Sequence, residues 1–393
     1  MSVKKVYVDH SATSPVDPLV LEAMLPYFSD RFGNPSALYS QGRDAHEGVE
    51  VARAKVADAL GAEADEIIFT SGGTESDNLG IIGTALAREQ MKGHVITSSI
   101  EHLAVLNSCK HLEECGIDVT YLPVNEYGEV GLDVLQDAMR DDTFLVSIGY
   151  ANQEIGTIQK IGEMAEIAHD NGALLHTDAV QAVGKVPINV KDLDVDLLTL
   201  SGHKIYGPKG IGALYVKKGV SIEPMQHGGG HERRLRAGTE NVPGIVGLGR
   251  AMELGQEWLE TDIPRIKGLR DRLISGILGS IENSYLNGHP DRRLPHNAHF
   301  RFSFIEGEAI LLNLDYYGIS ASTGSACSSR SLKASHVLLA IGLKHEDAHG
   351  SLRFTLGRSN TEEDIDWLLV KVPEIVAKLR EISPLGRGAD KER

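Results

Sequence analysis

Short apolar runs alternate with longer stretches in which apolar residues return every three or four positions, most regularly from Ile67 onward. The runs at 67–70, 94–98, 119–122, 144–150, 173–178, 196–200 and 211–216 predict strands. The stretches at 74–92, 103–115, 132–140 and 161–171 predict helices. Earlier, 6–9 reads as a short strand and Pro18 opens a helix reaching Tyr27. A further helix at 43–60 carries Val49, Ala52, Val56 and Leu60 on one face. Alternation of this kind predicts an α/β fold, a mainly parallel sheet with helices on both faces. Ligands of such sheets sit beyond the carboxyl ends of the strands.

Past Gly230 the pattern changes. Two helices are predicted at 242–259 and 263–281, the second with Leu269, Leu273 and Leu278, and a domain boundary falls near Asp262. The remainder reads as α+β, with strands at 299–304, 319–322 and 352–355 and helices at 308–316, 335–341 and 361–380. A polar tail at 386–393 is expected to fray.

At 393 residues the chain exceeds one typical domain. Its net charge of -16 argues against a general binder of nucleic acid or anionic membranes, and an anionic ligand would need strong local donors. No apolar run approaches the roughly 20 residues of a membrane span. The three cysteines form no CxxC pair, which argues against a disulfide framework or a zinc site. No secretory signal pattern opens the chain, so a reducing cytoplasm is the expected compartment.

The candidate chemistry lies at the predicted strand ends. Ser201-Gly202-His203-Lys204 sets a lysine between two apolar runs. It is either a surface lysine in a glycine-rich turn or an amine made neutral as a Schiff base to an aldehyde cofactor. Ser71-Gly72-Gly73-Thr74 is a glycine turn leading into a helix, suited to an anion. His102 follows a strand and either stacks on a planar ring or caps a helix; Asn152 is placed to donate into the same cleft. Asp178, followed by Gln181, ends an apolar run and would either hold a protonated pyridine nitrogen or cap the next helix. Together these are the parts pyridoxal 5'-phosphate needs, with Thr74, Ser201 and His203 as natural phosphate donors.

A second constellation surrounds Cys327, in a small, polar stretch from Ser320 to Leu332 that makes its thiol a nucleophile candidate. Cys109 and Cys115 read as buried structural cysteines. Arg353, within a predicted strand, suits bidentate carboxylate binding if it points inward. His227, His231, His289, His296 and His299 lack metal-ligand spacing, and His345 and His349 are placed in a loop.

The chain resembles the cysteine desulfurases of the NifS/IscS type, pyridoxal-phosphate enzymes of fold type I in aminotransferase class V. The resemblance runs from Val8 to about Leu379. It rests on the stretch from Phe69 to Asn78, Glu101-His102, Asn152 to Gly156, Asp178 to Gln181, Ser201 to Lys204, Arg236 to Asn241, Ser325-Ala326-Cys327, and Arg353 to Arg358. It implies an aspartate aminotransferase-like large domain at 15–261 with a mainly parallel seven-stranded sheet. A smaller α+β domain at 1–14 and 262–393 would carry the cysteine loop. Lys204 would hold the cofactor and move the substrate Cα proton. Asp178 would pair with the ring nitrogen, Gln181 with the ring hydroxyl, and His102 would stack on the ring. Gly73, Thr74, Ser201 and His203 would hold the phosphate. Thr239 would reach the phosphate of a neighbouring subunit, which makes the expected assembly a homodimer. Asn34, Asn152 and Arg353 would hold the carboxylate of L-cysteine, and Cys327 would accept its sulfur as a persulfide.

The long Ser/Thr-rich stretch around Cys327 is similar to the subgroup that hands sulfur to an iron–sulfur scaffold protein. No resident metal is expected; a cluster bridged by Cys327 in a scaffold complex is left open. Selenocysteine lyase, another aminotransferase-type activity, and a sulfur-carrier subunit with little turnover are the alternatives. The chain departs from the pattern at His10, Gly73 and Ala237, where many members have Asn, Ala and Ser.

Overall fold

The computed structural model describes residues 4–323 and 334–383. Cys327 and the tail at 386–393 lie outside the described residues.

The predicted alternation builds one seven-stranded sheet. Its strands lie in the order Ile67–Thr70, Gly212–Val216, Leu197–Ser201, Leu174–Asp178, Thr143–Ser147, His94–Ser98, Asp118–Leu122. Only Gly212–Val216 runs against the others. Strands His94–Ser98, Thr143–Ser147 and Leu197–Ser201 are buried along their whole length, which is why they read as runs rather than as alternating patterns. Helix Ser40–Leu60 buries Val49, Ala52, Val56 and Leu60, the face its spacing predicts, and ends on Gly61 in the left-handed region.

A second layer is a three-stranded antiparallel sheet of Ser351–Thr355, Asn297–Phe302 and Ser284–Asn287. The N-terminal strand Val6–Tyr7 pairs with Ile319–Ser320, and Val6 and Val8 pack in the same core as Phe300, Phe302 and Phe354.

The two helices expected around Asp262 are one, Val242–Ser280, 39 residues long with Pro264 inside it. An interior proline removes a ladder bond and costs about 3 kcal/mol. Here burial on both sides of it holds the helix together. Val242, Ile245, Leu248 and Trp258 pack in the large-domain core, where the helix lies mainly against helix Ser40–Leu60, while Ile266, Leu269, Leu273 and Ile277 pack in the other core. Leu278, expected on the buried face, is exposed. Other expectations also shift. His345–His349 forms a short helix rather than a loop. Cys109 is buried as expected, whereas Cys115, at the end of helix Leu103–Glu114, is exposed.

Candidate active site

A cleft of about 530 Å³ opens where the parallel strands end. Its walls are the segments following Ile67–Thr70, His94–Ser98, Thr143–Ser147, Leu174–Asp178 and Leu197–Ser201. Ser11 and Ala12 from the N-terminal segment and Arg353 from the second layer close it.

Lys204 ends a single 3-10 turn, Gly202–Lys204, directly after a buried strand. Its Nζ donates to the carbonyls of Ser11 at 2.5 Å and Ala12 at 2.7 Å. Those carbonyls aim the amine into the cleft. His203 beside it shares a hydrogen bond with Thr13 Oγ1 at 3.1 Å. Burial, helped by the Lys204 charge, lowers His203 to about 4, so it is a neutral imidazole near neutral pH.

Helix Gly73–Leu86 starts without a side-chain cap, which leaves first-turn amides to an anion. Gly72 sits at φ +153°, a conformation only glycine adopts readily. A Cβ on Gly73 would lie 3.6 Å from Ser201 Cβ, so this helix end and Ser201 share one corner of the cleft.

The opposite corner is acidic. Asp178 accepts from the Val180 amide at 2.9 Å. Burial raises its carboxyl, and the charges of His102 and Lys204 pull it back. Asp77 is fully buried one turn into its helix, and burial together with Asp178 raises it well above the carboxylate range. Glu101 receives Ser98 Oγ at 2.5 Å and the Gly149 amide at 2.8 Å, and burial pushes it up to about 8. Donor atoms of Asp77, His102 and Asp178 lie within 4.8 Å of one another. Such a corner favours a cation on its open side. His176, 3.7 Å from Asp77 Oδ1, makes no ion pair with it, because burial lowers His176 to about 3 and leaves it neutral.

The structure brings Gly73, Thr74, His102, Asn152, Asp178, Gln181, Ser201, His203, Lys204 and Arg353 into this one cleft. His102 caps helix Leu103–Glu114, its Nδ1 accepting from the Ala104 amide at 3.1 Å, and it also lines the cleft. Arg353 points inward, 2.7 Å from Asp9 Oδ1 and 2.8 Å from the Gln153 carbonyl. Asn152 spends much of its amide on backbone, donating to the Ile100 carbonyl and accepting from Glu154 and Ile155. Asn34 and Thr239 are exposed and line no part of this chain's cleft. Asp77 and Glu101 lay within recognised motifs without a role. A charged residue on the inward face of a helix start was the available signal for Asp77.

A lysine in one cleft with an uncapped helix start and a carboxylate corner, all at parallel strand ends, is the arrangement of the pyridoxal-phosphate fold type I. The chain belongs to the aminotransferase class-V family, which matches residues 6–368. It is 59% identical to cysteine desulfurase IscS of Methanosarcina thermophila, over 97% of this chain and 94% of that one. It is 51% identical to cysteine desulfurase IscS 1 of Archaeoglobus fulgidus, over 97% and 99% of the two chains. Among solved structures it is similar to a NifS-like protein at 40% identity and TM-score 0.90, covering 96% of this chain and all of that one. It is also similar to SspA in complex with cysteine, at 39% identity and TM-score 0.81, covering 91% and 100%.

The cleft fits pyridoxal 5'-phosphate. Gln181 Oε1 is buried without a hydrogen-bond partner among the described residues, a polar atom waiting for a ligand hydroxyl. The uncapped helix start suits a phosphate, and the acidic corner suits a protonated ring nitrogen. No helix among the described residues is long and apolar enough to cross a membrane.

Proposed function

We propose that this chain is a pyridoxal-phosphate-dependent cysteine desulfurase that converts L-cysteine to L-alanine and passes the sulfur to Cys327. The observation that carries the reading is Lys204, fixed by two carbonyls in the cleft that also holds Asp178 and Arg353. The full-length similarity to proteins named cysteine desulfurase, and to one solved with cysteine, selects the substrate.

Lys204 would hold the cofactor, Asp178 its ring nitrogen, Gln181 its ring hydroxyl and His102 its face. Gly73, Thr74, Ser201 and His203 would take the phosphate. When bound, the cofactor supplies an aldehyde for an amine to condense with and a sink for the electron pair released at Cα. The chain's own residues do the rest. Arg353 binds the substrate carboxylate, with Asn152 bordering it. The released Lys204 amine takes the Cα proton. The Cys327 thiolate attacks the substrate sulfur, the carbon–sulfur bond breaks, its electron pair stays with the three-carbon skeleton, and Cys327 is left as a persulfide. Sulfur then passes to a thiol of an acceptor, for which we propose an iron–sulfur scaffold protein in the cytoplasm.

Asn34 and Thr239 act across a dimer in this reading. Their exposure supports it, as do the exposed apolar residues Leu19, Leu21, Leu25, Phe28, Phe32 and Leu38, since apolar surface gathered on one segment marks a partner surface. Sedimentation of the cofactor-loaded protein should show a dimer; a monomer would strip both residues of these roles. Mass spectrometry after incubation with L-cysteine tests the chemistry. One added sulfur on the Cys327 peptide, with alanine released, is expected. Alanine formed at the parental rate by Cys327→Ser would remove Cys327 from the reaction.

A further inference from the structure

Behind Lys204 lies a second amine that the reaction above does not use. Lys185 is 7% exposed, and its one hydrogen bond among the described residues goes to the Gln181 carbonyl at 3.1 Å. Lysine is rarely buried without a countercharge, yet Lys185 has no ion pair among the described residues. It shares a cavity of about 20 Å³ with Lys204, His10, His296, Tyr206 and Arg358.

With His203, which also feels the Lys185 charge and is lowered to about 4 mainly by burial, these are the ionisable groups facing Lys185, and none supplies a negative charge near neutral pH. His10 and His296 are held neutral, His10 at about 4 and His296 well below the ordinary imidazole value, by burial and then by Lys185 itself. Burial raises the Tyr206 phenol to about 12, so it stays protonated. Arg358 is cationic and already paired with Asp17 and Asp262. Helix Val242–Ser280 contributes only apolar side chains here, Trp258, Ile263 and Ile266. Burial, with the Lys204 charge second, lowers Lys185 to about 7.

We propose that Lys185 is a positioning residue for Lys204: a sealed second amine that discourages the pair from carrying two protons and so keeps the Lys204 amine available to condense with an aldehyde and to accept a proton. Interacting amines titrate as a pair, and a neighbouring cationic group is one of the ways a lysine nucleophile is activated. This role rests on the reading of Lys204 given under Proposed function.

The test uses cofactor-free protein. Acetic anhydride labelling of Lys204, read by mass spectrometry across neutral to alkaline pH, reports how much of that amine is uncharged. In Lys185→Met, labelling of Lys204 at and below neutral pH should be slower by up to about tenfold, the size of one unit charge acting through protein, while at alkaline pH, where Lys185 has already lost its proton, the two proteins should label alike. Lys185→Arg, which keeps the charge, should stay near the parent. If Lys185→Met gives no cooperative melt, Lys185→Gln carries the same expectation. Labelling at neutral pH no slower than the parent's in the charge-removing variant overturns the proposal. The parent is also scored for capture of pyridoxal phosphate by its visible absorbance. A parent that captures none overturns the reading of Lys204 itself. Capture by the parent, with variant labelling no slower, overturns the role of Lys185 alone.

Discussion

Glycine at position 73 is set by one neighbour. A Cβ there would lie 2.8 Å from Val180 Cγ2, well inside normal carbon contact, and valine is stiff at χ1. The alanine common at this position would therefore meet Val180, two residues beyond Asp178. Gly73→Ala should force the phosphate-facing helix start away from the carboxylate corner. Overpacking of this kind costs roughly 1–3 kcal/mol, so cofactor affinity should fall about tenfold or more by fluorescence titration. Gly73→Ala with Val180→Ala should regain most of it. Unchanged affinity in the single variant would mean the contact is absorbed elsewhere.

At the scale of elements, one buried carboxylate joins three of them. Glu232 opens a 3-10 turn, Glu232–Arg234, whose residues have φ between 42° and 68°. Its Oε1 and Oε2 take Arg53 Nη2 at 2.7 Å and Nη1 at 2.8 Å, from helix Ser40–Leu60. The same carboxylate accepts the Phe69 amide at 2.7 Å, from edge strand Ile67–Thr70. Arg53 also lies 4.7 Å over the Phe69 ring. Glu232→Ala would leave the buried Arg53 guanidinium with only the half-exposed Glu50 carboxylate at 3.1 Å as countercharge, a loss that should approach the about 3–5 kcal/mol of a broken buried pair. Urea unfolding should show that loss; a change under about 1 kcal/mol would mean Arg53 finds water instead. None of this was legible beforehand, because a strained turn held by residues 163 and 179 positions away leaves no local pattern. What was legible has local causes. The strands 67–70 and 94–98 show as apolar runs bounded by polar turns, and their ends marked the cleft. The joined helix Val242–Ser280 was hidden by Pro264, since sequence does not separate a broken helix from one held by packing on both sides. Strand Ser284–Asn287 was missed because only Asn287 of its four residues is buried. Asp77 and Lys185 escaped a role for a related reason: what marks each is isolation in the folded interior.

Taken whole, the molecule uses its large sheet to collect strand ends into one cleft and its second layer to close that cleft with Arg353 and the N-terminal segment. The net charge of -16 is overcome locally by a helix start, hydroxyls and an amine at one corner, while carboxylates gather at the other. That polarity fits a ligand with an anionic end and a ring that carries a proton. The half-buried Lys204 lines this cleft and the buried Lys185 lies in the small cavity behind it, and the account assigns the covalent bond to Lys204 only. Borohydride reduction of the pyridoxal-phosphate-loaded protein, followed by peptide mass spectrometry, decides the matter. The account predicts the reduced pyridoxyl group on Lys204 alone. A group fixed on Lys185 or another lysine, or no fixed group in protein that binds the cofactor, would contradict it.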